Sequence, residues 1–283
     1  SLESMTQQLV DSKHYKAVGA LSSFKFSFCM IVSPAMAGIL IAKYSLVITY
    51  IIDILTFVIS LGCLLCMQKT PNPKPVAQPS IYTSLKEGIN YAWQRQELLG
   101  SYCVDFIAML CAMPTILFPA IAEALGGAKY LGLLYSAEAV GALLISFFSG
   151  WTANIKSDGK AITISAALFG ATMIGFGFTT NHLYLALFFL ALGGAFDTIS
   201  GIFRSALWNT SIPTDKRGRL AGIEMLSYLS GPRLGGTRAG IFAAFMGLSG
   251  ALISGGILCI FGVLLCRARM PKFWNYNADQ KSN

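Results

Sequence analysis

Nine charged side chains stand inside stretches otherwise apolar enough to span a lipid bilayer: Lys25, Arg204, Arg233 and Arg238, with Asp53, Asp105, Glu138, Asp197 and Glu224. A charge at bilayer depth is costly, so such residues face a bundle interior and mark an ion or substrate route. Asp197 and Arg204 are seven apart, two turns along one helix face. Two readings of the pair stay open: a substrate or proton site with its own cation, and a structural pair that orients one helix on the next. Asp105 and Glu138 each lie about two turns into an apolar run. A carboxylate in a dry cavity can exchange protons near neutrality, as proton-coupled transport requires. The other reading of each is a hydrogen bond to neighbouring backbone or serine.

Arg233 follows Gly231-Pro232 near mid-depth and needs a partner, for which an anionic substrate group is a candidate. Arg238 is expected to snorkel outward. Glu224 comes one turn after a basic loop; with Asp215, Arg217 and Arg219 it forms an expected cytoplasmic gate, or else a solvated helix start. Asp53, near the outer end of its run, reads as a structural cap.

The elements that carry these residues are helices, since crossing a bilayer takes about 20 mainly apolar residues. Eight runs qualify: 17–42, 46–67, 98–122, 130–151, 161–180, 183–212, 220–246 and 248–266, the last two parted by a tight turn near Gly247. Pro71, Pro73, Pro75 and Pro79 make an extended linker after the second run. Residues 80–94 then read as an amphipathic interfacial helix, with Ile81, Leu85, Ile89 and Trp93 at a spacing of four. Gly231, Gly235, Gly236 and Gly240 allow close helix contact, and Pro232 a bend. Phe196, Phe203, Trp208 and Tyr228 are candidates to line an apolar cavity, or to pack helices.

The chain is expected to comprise 1–67, two helices left from an amino-terminal half; 68–96, a cytoplasmic linker; 97–267, a six-helix half; and 268–283, a cytoplasmic tail. If the first run enters from the cytoplasm, 15 of the 21 Lys and Arg fall in the chain ends and even-numbered connections, against only Lys43 and Lys129 on the other side. That positive-inside bias predicts both termini in the cytoplasm.

At 54% hydrophobic and 12% charged, the chain has too little polar surface for a soluble domain of this length. Its net charge of +8 is scattered between apolar runs, not gathered into the contiguous basic face that nucleic acid needs. The seven cysteines lie in or at the ends of apolar runs, and no His or carboxylate stands at metal-ligand spacing. Cys63-x-x-Cys66 lacks the soluble βαβ setting of a redox motif. No cofactor and no metal are expected. Membrane enzymes need clustered Asp, His or Ser at a helix end, and no such cluster is present.

Four stretches resemble the major facilitator superfamily, within it the branch of the enterobactin exporter and macrolide-type efflux proteins. They are S-P-A-M-A-G-I-L at 33–40 with D-I-L-T-F-V-I-S at 53–60, S-L-K-E-G-I-N-Y-A-W at 84–93, G-A-F-D-T-I-S-G-I-F-R at 194–204, and I-P-T-D-K-R-G-R-L-A-G at 212–222. They are similar, in order, to the fifth and sixth helices, the lead into the seventh, the tenth helix, and the loop before the eleventh. One loop departs: 150–160 reads G-W-T-A-N-I-K-S-D-G-K, with Asn154 where the family pattern has Asp.

The resemblance implies an all-α, polytopic membrane bundle of about eight transmembrane helices, major facilitator-like with the first four missing. Those four would come as a separate chain or be absent. It implies a bacterial plasma-membrane transporter that exports amphipathic drug- or siderophore-type molecules by proton antiport and alternating access between halves. The expected partners are the lipid bilayer, a small amphipathic substrate and protons. A lysophospholipid or lipid translocator and a truncated, non-transporting fragment are the alternatives. As charges at bilayer depth, Asp105, Glu138, Asp197, Arg204 and Arg233 are expected along the proton and substrate pathway.

Overall fold

The computed structural model describes residues 29, 33, 36, 40, 44, 46–66, 90–91, 93–127, 129–155, 157–212 and 217–277. The chain divides into two compact units, Ser1–Gln78 and Pro79–Asn283. Every regular element among the described residues is helical. That follows from a solvent without hydrogen-bond partners, in which backbone N–H and C=O groups must satisfy each other within the segment.

In the first unit the described element is α1, Leu46–Leu65, whose apolar side chains from Val47 to Leu61, and that of Leu65, are exposed. Asp53 lies seven residues into it and accepts, through its backbone carbonyl, the Thr56 hydroxyl at 2.7 Å. Lys25 and most of the run 17–42 lie outside the described residues, as do the linker 67–89 and most of the expected interfacial helix.

The second unit begins with α2, Gln96–Ala112. It stops because Met113 precedes Pro114, whose ring disfavours helical backbone at the residue before it, and Met113 is accordingly extended. A 3-10 turn, Thr115–Leu117, and α3, Phe118–Ala124, carry the same crossing onward, with Pro119 in the first turn where its missing N–H costs nothing. Then follow α4, Lys129–Phe147, a 3-10 turn at Ser149–Asn154, α5, Asp158–Phe178, and α6, Leu183–Ser211. The last long element is α7, Arg217–Arg269, followed by the short α8, Pro271–Trp274. Among the described residues, five stretches are long and apolar enough to cross a membrane: Gln96–Ala124, Lys129–Phe147, Asp158–Phe178, Leu183–Trp208 and Ser230–Arg269.

The fifth stretch turns back on itself. Gly247 has φ +75° and ψ 173°, a conformation open to glycine and strained for any L side chain. Its neighbours prove the reversal. In the first limb, Gly231 lies against Met109 and Gly236 against Ile116, so the limb runs parallel to α2. In the second limb, Gly255 lies against Cys111 and Gly262 against Ile107, so it runs the other way.

Close backbone approach sets the remaining packing. A Cβ on Gly141 of α4 would strike the Ala191 carbonyl of α6, and one on Gly194 of α6 would strike the Glu138 carbonyl of α4. The two helices are therefore antiparallel with their backbones touching, which small residues alone permit. α6 also packs on α5, and α5 on α7. Phe118, Phe169, Phe176 and Phe273 are fully buried, with Phe118 edge-on to Phe176 at 6.3 Å between ring centres.

Both ends of this packing are pinned. At one face the Thr180 and Ser249 hydroxyls meet at 3.0 Å, joining the α5–α6 turn to the start of the second limb. At the other, which we term the tail face, Phe273 fits between Gly100 of α2 and Gly159 of α5. The buried Tyr276 hydroxyl lies 2.7 Å from that of Ser211 and 3.0 Å from that of Thr210, at the end of α6.

Candidate functional site

Three helices bring four of the intramembrane charges together. Asp105 sits on α2, nine residues from its start, and Arg204 on α6, seven residues from its end, so antiparallel packing places them at similar depth above the tail face. They form an ion pair, with side chains only 11% and 13% exposed. The Arg204 Nη2 also lies 3.9 Å from Oδ1 of Asp197, two turns back along α6 and more open at 40% exposed. Arg204 thus reaches one carboxylate on its own helix and another across the bundle.

Glu138 extends the group. Its backbone carbonyl touches Gly194, one turn before Asp197, and its carboxylate is within electrostatic reach of the Asp197 carboxylate. Tyr135, one turn earlier on α4, is coupled to Glu138 in the same way. The order along the seam is Tyr135, Glu138, Asp197, Arg204 and Asp105. Three carboxylates meet one guanidinium, so the seam carries more acid than its fixed cation neutralises.

Sequence spacing pairs Arg204 with Asp197, and the structure adds the closer partner, Asp105, 99 positions away on another helix. Nothing in the local sequence announces that contact; the one available signal is that both are charges at bilayer depth. Arg238 departs from the snorkelling expectation. Its Nε donates to the Leu110 carbonyl at 3.2 Å and its guanidinium carbon lies 5.4 Å from the Phe242 ring centre. The backbone of α2, whose last turns leave carbonyls unpaired before Pro114, offers a nearer acceptor than the interface.

Arg233 is exposed and lines a pocket of about 510 Å³ with Thr115, Ile116, Tyr135, Pro232, Gly236 and Thr237. Arg217, Arg219 and Glu224 lie in the opening turns of α7, and Asp215 lies outside the described residues.

Of the aromatic candidates, Phe196 and Phe203 line an apolar cavity of about 410 Å³ between α5 and α6, together with Trp151 and Leu168. It lies on the neighbouring face of α6, about 100° round from Asp197 and Arg204. Trp208 packs instead, with its ring 5.2 Å from that of Tyr102. The Tyr228 side chain lies outside the described residues.

A multi-pass helical bundle with an acid–base seam at membrane depth is the build of a membrane transport protein. The chain belongs to the transmembrane secretion effector family of the major facilitator superfamily, whose model matches residues 1–283. That membership places it with membrane transport proteins, not enzymes. It is 27% identical over 274 residues to the enterobactin exporter EntS of Salmonella typhi, covering 94% of this chain and 64% of that protein. The same figures hold for the enterobactin exporter EntS of Escherichia coli O81 (strain ED1a). For that of Shigella flexneri the identity is 26% over 268 residues, with 94% and 63% covered. The chain therefore spans less than two thirds of the length of these curated relatives. No solved structure matches it.

Proposed function

We propose that this chain forms part of a bacterial inner-membrane exporter that moves amphipathic small molecules of the siderophore or drug type outward in exchange for protons. Membrane residence is supported by five apolar helices of crossing length among the described residues, and the export direction by family membership and the enterobactin-exporter relatives. One observation carries the coupling: the ion pair of Arg204 with Asp105, flanked by Asp197 and Glu138 across three helices.

In this reading the surplus carboxylates of the seam load a proton when it opens to the outside and release it inside. A guanidinium between carboxylates on different helices has two competing partners. Protonating one side shifts Arg204 to the other, which couples proton occupancy to the relative position of α2 and α6. Alternating access then exposes the seam to each side in turn, in the manner of two halves rocking about a midplane site. Both termini lie in the cytoplasm, as the distribution of Lys and Arg indicates. The tail face is then the cytoplasmic face, with Asp215, Arg217, Arg219 and Glu224 at its gate.

The test is efflux of a fluorescent amphipathic dye from cells producing the intact protein. Efflux should stop when a protonophore collapses the gradient. Asp105→Asn and Glu138→Gln should each reduce it at least tenfold at unchanged protein level. Undiminished efflux with the gradient collapsed would refute proton coupling.

A further inference from the structure

The Arg233 pocket lies outside the acid-rich seam and has the opposite sign. Arg233 stands 14 residues before the Gly247 turn, about 21 Å along the helix axis at 1.5 Å per residue, and hence well inside a hydrocarbon core about 30 Å thick. A permanent cation at that depth requires a partner. Among the described residues no carboxylate lies within ion-pair distance of it, whereas Arg204 has two. Arg238, five positions on, is served by a backbone carbonyl and a ring. The Arg233 side chain instead enters a cavity of about 510 Å³, within the range of small-molecule sites, whose other polar side chains are the hydroxyls of Thr115, Tyr135 and Thr237.

The Tyr135 hydroxyl donates to the Thr115 carbonyl at 3.4 Å and the Thr237 hydroxyl to the Arg233 carbonyl at 3.1 Å, so the guanidinium is the donor of this pocket, and its fork of N–H groups matches a planar oxyanion such as a carboxylate in bidentate fashion. Ile116 and Pro232 supply an apolar wall beside it. The pocket also touches the seam: Tyr135 lines it, and Tyr135 and Glu138 are one turn apart on α4.

From this geometry we infer that the pocket is an anion subsite in which Arg233 holds the carboxylate, or an equivalent delocalised oxyanion, of an amphipathic ligand whose apolar body lies against Ile116 and Pro232. The inference rests on the transport reading only in taking that ligand to be the molecule exported.

The experiment is equilibrium dialysis of the full chain in dodecyl maltoside with 4-biphenylcarboxylate and with its uncharged amide, 4-biphenylcarboxamide, which share shape and differ in charge. The wild-type chain should bind the carboxylate at least tenfold more tightly. Arg233→Gln should abolish the preference, and Arg233→Lys, which keeps the charge and guards against a misfolding artefact, should retain part of it. Equal binding of the two probes by the wild type overturns the proposal. So does a preference that survives in Arg233→Gln, which would move the site elsewhere. No gradient is involved, so this result stands or falls separately from the efflux test.

Discussion

At the scale of single residues, Arg204 is the point on which the seam turns. Its pair with Asp105 is nearly closed to solvent, and breaking a buried pair by removing one partner typically costs about 3–5 kcal/mol, because the other charge is left uncompensated. Arg204→Gln should therefore destabilise the purified protein by about 3 kcal/mol in a thermal or denaturant titration. The double variant Asp105→Asn with Arg204→Gln should recover most of that loss, since it leaves no orphan charge. Equal losses in the single and double variants would show that the two side chains are energetically independent. The seam was only half legible in the sequence. Spacing alone put Asp197 and Arg204 on one face, because a helix repeats every 3.6 residues. The cross-helix partner depends on which helices adjoin, and periodicity carries no such information.

At the scale of the elements, the positions that fix geometry are those where a side chain cannot fit. A Cβ on Gly141 or Gly194 would strike the facing carbonyl, so Gly194→Val should part α4 from α6 and move Glu138 away from Asp197. Overpacking of this kind costs roughly 1–3 kcal/mol, more where backbone must move. Cross-linking between cysteines placed on α4 and α6 should fall in step with the stability loss. Gly247→Val meets a different obstacle, a backbone conformation strained for an L residue, at roughly 1–3 kcal/mol. A lower yield of folded protein after detergent extraction is its expected mark.

The long helices themselves followed from apolar run length, and the turn near Gly247 from a glycine between two runs. The tail was not foreseen. Phe273 and Tyr276 lie beyond the last apolar run among polar residues, yet Phe273 is fully buried between α2 and α5. Phe273→Ala should cost about 3 kcal/mol in the same titration, as truncations of buried aromatics do. Tyr276→Phe, which loses only the hydroxyl contacts to Thr210 and Ser211, should cost about 1 kcal/mol.

At the scale of the whole molecule, the charges divide by task. The seam on α2, α4 and α6 holds an acid surplus around one cation, and the pocket on α7 holds a cation with no acid near it among the described residues. A pathway with both signs suits an exporter that exchanges protons for an amphipathic anion, and family membership fits transport of this kind. The central claim is that the seam couples export to protons, and dye efflux driven by an imposed pH gradient in membrane vesicles tests it most directly. With the intact protein, efflux should follow the gradient and vanish at zero gradient, and Glu138→Gln should leave a gradient-independent residue below about a tenth of the wild-type rate. Full-rate efflux without a gradient, or a Glu138→Gln rate equal to wild type, would contradict the account.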